Sequence, residues 1–270
     1  MRCIFCRLPS DQSRSIEHII PESLGNTSHV LPRGVVCDSC NNYFAHQVEK
    51  PFLELPALEV LRFDQAIESK KGRLPLVTGI IPPDLSVRVT RKLKLNTTLV
   101  DVPLAARNRV ASMKEGKLYL PRSLPLPIGP TVSRFLAKVG VEAMAQRFLS
   151  YPGGLDDVCD EGQLDAARDH ARRGKILNWP VYTRRIYDAD GTTFGPDGSR
   201  VHVVHEYDLL ATPANEIYFV LALFGQEFTI NMGGPDIEGY VEWLKANNYG
   251  SPLYVGKNAS TYPKRIVDPR

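Results

Sequence analysis

The chain of 270 residues contains no apolar run approaching the roughly 18 residues that a membrane-spanning helix requires. Its opening residues, MRCIFCRLPS, lack the apolar core of a secretory signal. Together these absences lead to the expectation of a protein working in a reducing cytoplasm. Internal repeats and low-complexity segments are missing as well, which excludes solenoid architectures and long compositionally biased tails. Neither sign of charge dominates: 33 Lys and Arg stand against 30 Asp and Glu, for a net charge of +3. Such a mildly basic balance permits nucleic-acid binding without requiring it. The 43% hydrophobic content is that of an ordinary globular protein, and the length suits one small module and one larger domain.

Cysteine is scarce, five residues in all, yet four of them lie in the first forty positions as two matched pairs. Cys3-Ile-Phe-Cys6 and Cys37-Asp-Ser-Cys40 are both CxxC. In a cytoplasmic chain two such pairs indicate one tetrahedral structural zinc site, because two intervening residues let a single turn aim both sulfurs at one ion. Four thiolates fill the shell and leave no open position for water. A segment of this size cannot hold a hydrophobic core unaided, and the metal supplies the missing stability. Cys159 stands alone and is read as a small half-buried hydrophobe.

Between the pairs lies Ser15-Ile-Glu-His-Ile-Ile-Pro21, and Asn41 and Asn42 follow directly after Cys40. This arrangement resembles the zinc-stapled branch of the HNH nucleases over about residues 3–53. The resemblance implies a ββα-metal fold, with a hairpin carrying the Glu-His pair and a helix supplying a terminal Asn. It implies His18 as general base, and Glu17 and Asn41 as ligands of a catalytic Mg²⁺ or Mn²⁺, with Asn42 as the alternate ligand. Independently of the resemblance, a neutral imidazole near pH 7 can take a proton from water. Carboxylate and amide oxygens are likewise the donors that a hard divalent ion prefers. Two positions depart from the family pattern. Glu17 stands where Asp is usual, and the middle Asn, expected about five residues before the third Cys, is replaced by Pro32. Asn26 or a backbone carbonyl near Leu31 is left to organise that loop.

Along the rest of the chain the fold class is α+β. Residues 1–55 form the nuclease module, 56–130 a connecting region with a short helix and strands, and 131–270 an α+β domain of unknown specificity. A helix is expected from Asn41 to about Leu55, interrupted at Pro51, its free N–H groups directed at phosphate. Another is expected from Leu58 to Ser69, and short strands such as Leu85–Thr90 follow. Thr131–Ser150 has the spacing of an amphipathic helix with a Thr or Ser cap, and Gln163–Gly174 is a helix stopped by glycine. Strands over 181–187, 201–210, 217–224 and 228–232 make an antiparallel meander, closed by a helix over 237–247. With apolar faces of its own, the chain from Arg73 onward is expected to fold without the head.

Arg168, Arg172, Arg173 and Lys175, with Arg184 and Arg185, are candidate phosphate contacts. Trp179 and Trp243 are read as core. The partner is nucleic acid, with DNA favoured by the resemblance, and a homodimer is compatible with it. A nuclease head on a larger body suits restriction, phage-defence or mobile-element roles. The competing class is a non-catalytic zinc-knuckle nucleic-acid-binding protein.

Overall fold

A computed structural model describes residues 1–69, 71–174, 176, 178–194 and 198–258. In chain order, β1 (Glu17–His18) and β2 (Val30–Leu31) form a short hairpin, followed by α1 (Asp38–Phe44), a π-helical segment (Ala45–Glu49), α2 (Lys50–Leu53) and α3 (Pro56–Asp64). Strands β3 (Val77–Ile81), β4 (Leu85–Lys92) and β5 (Thr97–Asp101) precede α4 (Arg107–Ala111). Helices α5 (Pro130–Phe148), α6 (Gly154–Asp160) and α7 (Asp165–Arg173) come next. The chain then runs through β6 (Tyr182–Arg185), β7 (Thr192–Phe194), β8 (Arg200–His202), β9 (His205–Ala211), β10 (Ile217–Leu223) and β11 (Gln226–Asn231), and ends in α8 (Glu238–Ala246) and α9 (Tyr254–Asn258). The α+β class holds, and every sheet is antiparallel. Among the described residues no helix is long and apolar enough to cross a membrane.

Contacts divide the chain into two compact units that cut across the divisions at 55 and 130 suggested by composition. One comprises Met1–Ile20, Asn26–Glu49 and the chain from Ile128 onward; the other comprises Pro21–Gly25 and Lys50–Pro127. The physical reason lies in α5. Its spacing suggested one apolar stripe, but it is buried nearly all round from Val132 to Ala145, including Ser133, Lys138 and Glu142. It starts at Pro130 behind Gly129 with no side-chain cap, where a Thr or Ser cap was expected. On one side it meets the sheet β6-β11-β10-β9 closely: a Cβ on Gly140 would fall 3.0 Å from the Phe219 Cβ of β10 and 2.6 Å from the Met232 sulfur just past β11. Its other sides take α7 and the N-terminal segment. The far face of the sheet is covered by α8, with Tyr218, Val220, Ala222, Tyr240 and Leu244 buried between them. The expected strand over 201–210 is in fact two, β8 and β9, so His202 and His205 do not share a strand.

In the second unit, β3, β4 and β5 pair in sequence, and Val60, Phe63, Val77, Ile81, Val87 and Val89 form the core beneath them. Arg91 stacks 4.7 Å from the centre of the Phe63 ring. Helix α3 begins with Pro56 in its first turn and ends at Asp64, earlier than its apolar spacing suggested.

Candidate functional site

The two CxxC turns converge as their spacing requires. Arg7, in the left-handed region at φ 61°, closes the first turn, and its N–H donates to the Cys3 carbonyl at 2.8 Å. Cys37 caps α1, its sulfur accepting from the Cys40 N–H at 3.4 Å. The Ile4 N–H donates to the Val35 carbonyl at 3.0 Å and ties the two turns together. Cys6 and Cys37 sulfurs lie 3.7 Å apart, and all four sulfurs fall within 4.8 Å of one another. A tetrahedron of zinc–sulfur bonds of about 2.3 Å has edges of about 3.8 Å, so the donor set fits zinc. Hydrogen bonding from Cys40, with backbone N–H groups helping, pulls the Cys3 pKa down to about 4. Cys40, which supplies that bond, is pushed up by it, by burial and by the charge of the other cysteines. A crowded thiol set of this kind sheds its protons together only to a cation.

Helix α1 starts at Asp38, three residues before the expected start. In its first turn the Cys40 N–H bonds the Cys37 sulfur, and Asn41 lies inside the helix, its N–H on the Cys37 carbonyl at 2.9 Å. Asp38 accepts from the Arg14 N–H at 3.0 Å and the Ser15 N–H at 2.8 Å, pinning the strand that leads into the hairpin. The Ser15 hydroxyl and these N–H groups hold the Asp38 pKa below the usual carboxylate range. The helix then passes Pro51 without breaking. The π-helical bonding of Ala45–Glu49 shifts the ladder ahead of a residue that has no N–H to give.

In the hairpin Glu17 pairs with Leu31 and His18 with Val30. Asn26, fully buried, closes the loop between them. Its amide donates to the carbonyls of Ile20 at 2.6 Å and His29 at 2.9 Å, and its oxygen accepts from the N–H groups of Ser28 at 3.0 Å and His29 at 2.9 Å. Of the two substitutes left open for the missing middle Asn, Asn26 thus makes the loop-organising bonds. Asn41 reaches from α1 to the hairpin, its amide donating to the Ile16 carbonyl at 3.3 Å, while Asn42 is exposed. His18 is half-buried.

Glu17 is only 5% exposed, and its carboxylate receives the Lys138 ammonium at 2.6 Å. The sequence offered no signal for this partner, which lies 121 positions away. Among the described residues the four cysteines are the only group of three or more His, Cys, Asp or Glu donors spaced to hold a metal ion. A catalytic ion would therefore depend on few protein ligands and much water, as Mg²⁺ commonly does.

The arginine candidates are corrected in part. Arg168 is buried under the first cysteine turn, donating to the Ile4 carbonyl at 2.8 Å and pairing with Asp165 at 2.7 Å, so it holds the zinc turn and cannot meet phosphate. Arg184 is spent on the buried Glu227 at 2.6 Å, and Arg185 donates to the Phe224 carbonyl at 2.7 Å. Arg173 pairs with Asp169 at 3.1 Å across the end of α7, and the Arg172 carbonyl accepts from the Tyr43 hydroxyl. Lys175 lies outside the described residues. Trp179 is core, its indole N–H on the Asn231 carbonyl at 3.2 Å, and Cys159 is buried with its thiol directed at the Arg2 carbonyl.

No curated protein and no solved structure matches this chain. A family model does: residues 3–55 match the HNH endonuclease family, so this chain carries an HNH endonuclease module at its N-terminus.

Proposed function

We propose that the chain is a metal-dependent endonuclease that hydrolyses phosphodiester bonds in DNA, leaving 5′-phosphate and 3′-hydroxyl ends. The observation that supports this best is the hairpin bearing Glu17 and His18, closed by Asn26 and bonded through Ile16 to Asn41 of the helix that begins in the second cysteine pair. His18 takes the proton of the attacking water as general base. Asn41 and Glu17, whose Oε1 also receives Lys138, would hold the catalytic Mg²⁺ or Mn²⁺, with Asn42, exposed one residue further on, as the alternate. That ion, when bound, supplies positive charge at the scissile phosphate and the leaving oxygen. The zinc is structural and joins the start of the hairpin to the start of α1. Binding to the polyanion draws support from residues 50–127, where Lys and Arg outnumber Asp and Glu by 14 to 7 and Arg88, Lys92, Arg107 and Lys117 are exposed. A cytoplasmic role in restriction, phage defence or mobile-element transfer suits such a protein.

One observation favours a second reading, a zinc-knuckle module that binds nucleic acid without cutting it: the Glu17 carboxylate is already engaged by Lys138. The two separate in a cleavage assay on duplex, branched and single-stranded DNA and on RNA, with Mg²⁺, Mn²⁺ or EDTA, comparing the wild type with His18→Ala. The nuclease reading expects metal-dependent cleavage that His18→Ala abolishes. Binding without cleavage on every substrate supports the other.

A further inference from the structure

The middle of α5 carries a lysine with no exposure at all. Three carboxylates surround the Lys138 ammonium: Glu17 of β1 at 2.6 Å, Glu49 at the end of the π-helical segment at 2.7 Å, and Glu142 one turn along α5 at 2.9 Å. The His18 carbonyl lies 3.4 Å from the same nitrogen. A buried charge is retained only where its partners are close and hydrogen-bonded. Two of those partners belong to the nuclease module, whereas Lys138 lies far beyond residues 3–55.

An interior ion cluster of this kind could serve stability alone. Two features give it a direction. The residue gripped is the one before His18, and the same ammonium touches the His18 backbone. Glu17 is the buried and His18 the half-buried residue of the two-residue strand β1, and neighbouring strand residues share one backbone geometry, so holding the Glu17 carboxylate fixes how the strand presents His18.

We propose that Lys138 is a positioning residue of the nuclease site: it anchors the Glu17 carboxylate and thereby fixes the direction in which strand β1 presents the His18 imidazole. The HNH module is in consequence incomplete without α5. The inference rests on the reading of His18 as general base.

The test uses the full chain. Lys138→Met alone leaves the buried Glu17 and Glu142 and the half-buried Glu49 uncompensated, so it is paired with Glu142→Gln. Zinc content and a cooperative melt establish that the double variant is folded. The expected result is a kcat about 10- to 100-fold below wild type, the scale of a misplaced catalytic group, with KM for nucleic acid changed less than about threefold. In protein labelled at the histidine rings, the His18 signals should shift while those of His46 stay in place, independently of activity. A folded double variant with wild-type kcat and unmoved His18 signals overturns the proposal. Should the double variant not fold, Glu49→Gln with Glu142→Gln leaves Lys138 to Glu17 alone. The proposal requires its rate to stay within about twofold of wild type, and a tenfold loss would assign the effect to the cluster at large and overturn it. His18→Ala run alongside separates the two levels. If it cuts as fast as wild type, the nuclease reading fails. If it is slow while the Lys138 variant is fast, only the role of Lys138 fails.

Discussion

Asn26 illustrates how one side chain can replace a whole motif position. With Pro32 where the family places its middle Asn, the hairpin loop takes four bonds from a buried amide on the other arm. Replacement by Ala takes these bonds from the Ile20 carbonyl and from the Ser28 and His29 N–H groups, while the His29 carbonyl keeps the Ile19 N–H at 3.1 Å, and each buried orphan costs about 1–3 kcal/mol. Asn26→Ala should therefore lower the urea midpoint by an amount equivalent to about 3 kcal/mol or more, and should slow cleavage because the loop carries β1. His18→Ala should act in the opposite sense, leaving stability and zinc content unchanged while the rate falls by about 10²–10⁴. A third residue sets a pH dependence. Burial, helped by Arg134, pushes the His170 pKa down to about 4. The unfolded chain protonates this ring near its ordinary value of about 6.5. Between those two values the unfolded state holds the extra proton, so the stability due to the neutral ring is complete above about 6.5 and is lost as pH falls towards 4. Comparing wild type with His170→Gln isolates the histidine: the drop in urea midpoint from pH 7.5 to 5 should be smaller in the variant.

At the scale of elements, the zinc turns and α1 form one device. Cys37 belongs to the four-cysteine set that could hold a zinc ion and is also the N-cap of α1. Cys37→Ser keeps a good capping oxygen and loses a soft ligand, so any damage measures ligation. The expected outcome is loss of about one zinc per chain by elemental analysis, together with loss of helical signal and of nuclease activity. The catalytic ion should behave differently. Brief EDTA treatment should stop cleavage while zinc remains bound, and added Mg²⁺ or Mn²⁺ should restore the rate without refolding. Inactivation that accompanies zinc loss alone would refute a second, weaker ion.

At the scale of the whole molecule, the contacts between head and body set a second expectation beside the one drawn from the sequence. A chain starting near Arg73 has apolar faces enough to suggest independent folding, yet its helices are built around the head. Arg168 of α7 donates to Ile4, Arg134 of α5 to the Tyr43 hydroxyl at 2.8 Å, Tyr207 of β9 meets His29 at 3.0 Å, and Lys138 holds Glu17 and Glu49. Removing residues 1–72 strands a buried ammonium and a buried guanidinium with fewer partners, a loss that ordinarily exceeds the worth of the pair itself. The shortened chain should aggregate or melt without a cooperative transition by calorimetry, and a sharp transition near the wild-type temperature would show that the body is self-sufficient.

Local chemistry made the zinc site and the Glu17-His18 hairpin legible in the amino-acid sequence, because ligand spacing and motif order are properties of short segments. Helix α5 and the meander were legible for the same reason, through their periodicity. Three things were decided only by tertiary structure. The start of α1 at Asp38 depends on a sulfur that caps it while facing a metal site assembled from a turn thirty residues earlier. The engagement of Arg168 and Arg184 depends on which carbonyls and carboxylates the fold brings to them, and a string of arginines looks the same whether solvated or clamped. The engagement of Glu17 by Lys138 joins positions 121 residues apart on a helix whose spacing resembled a one-sided stripe. Pattern reports which face is apolar, whereas the partners of a buried charge are set by the packing of elements that no local pattern contains.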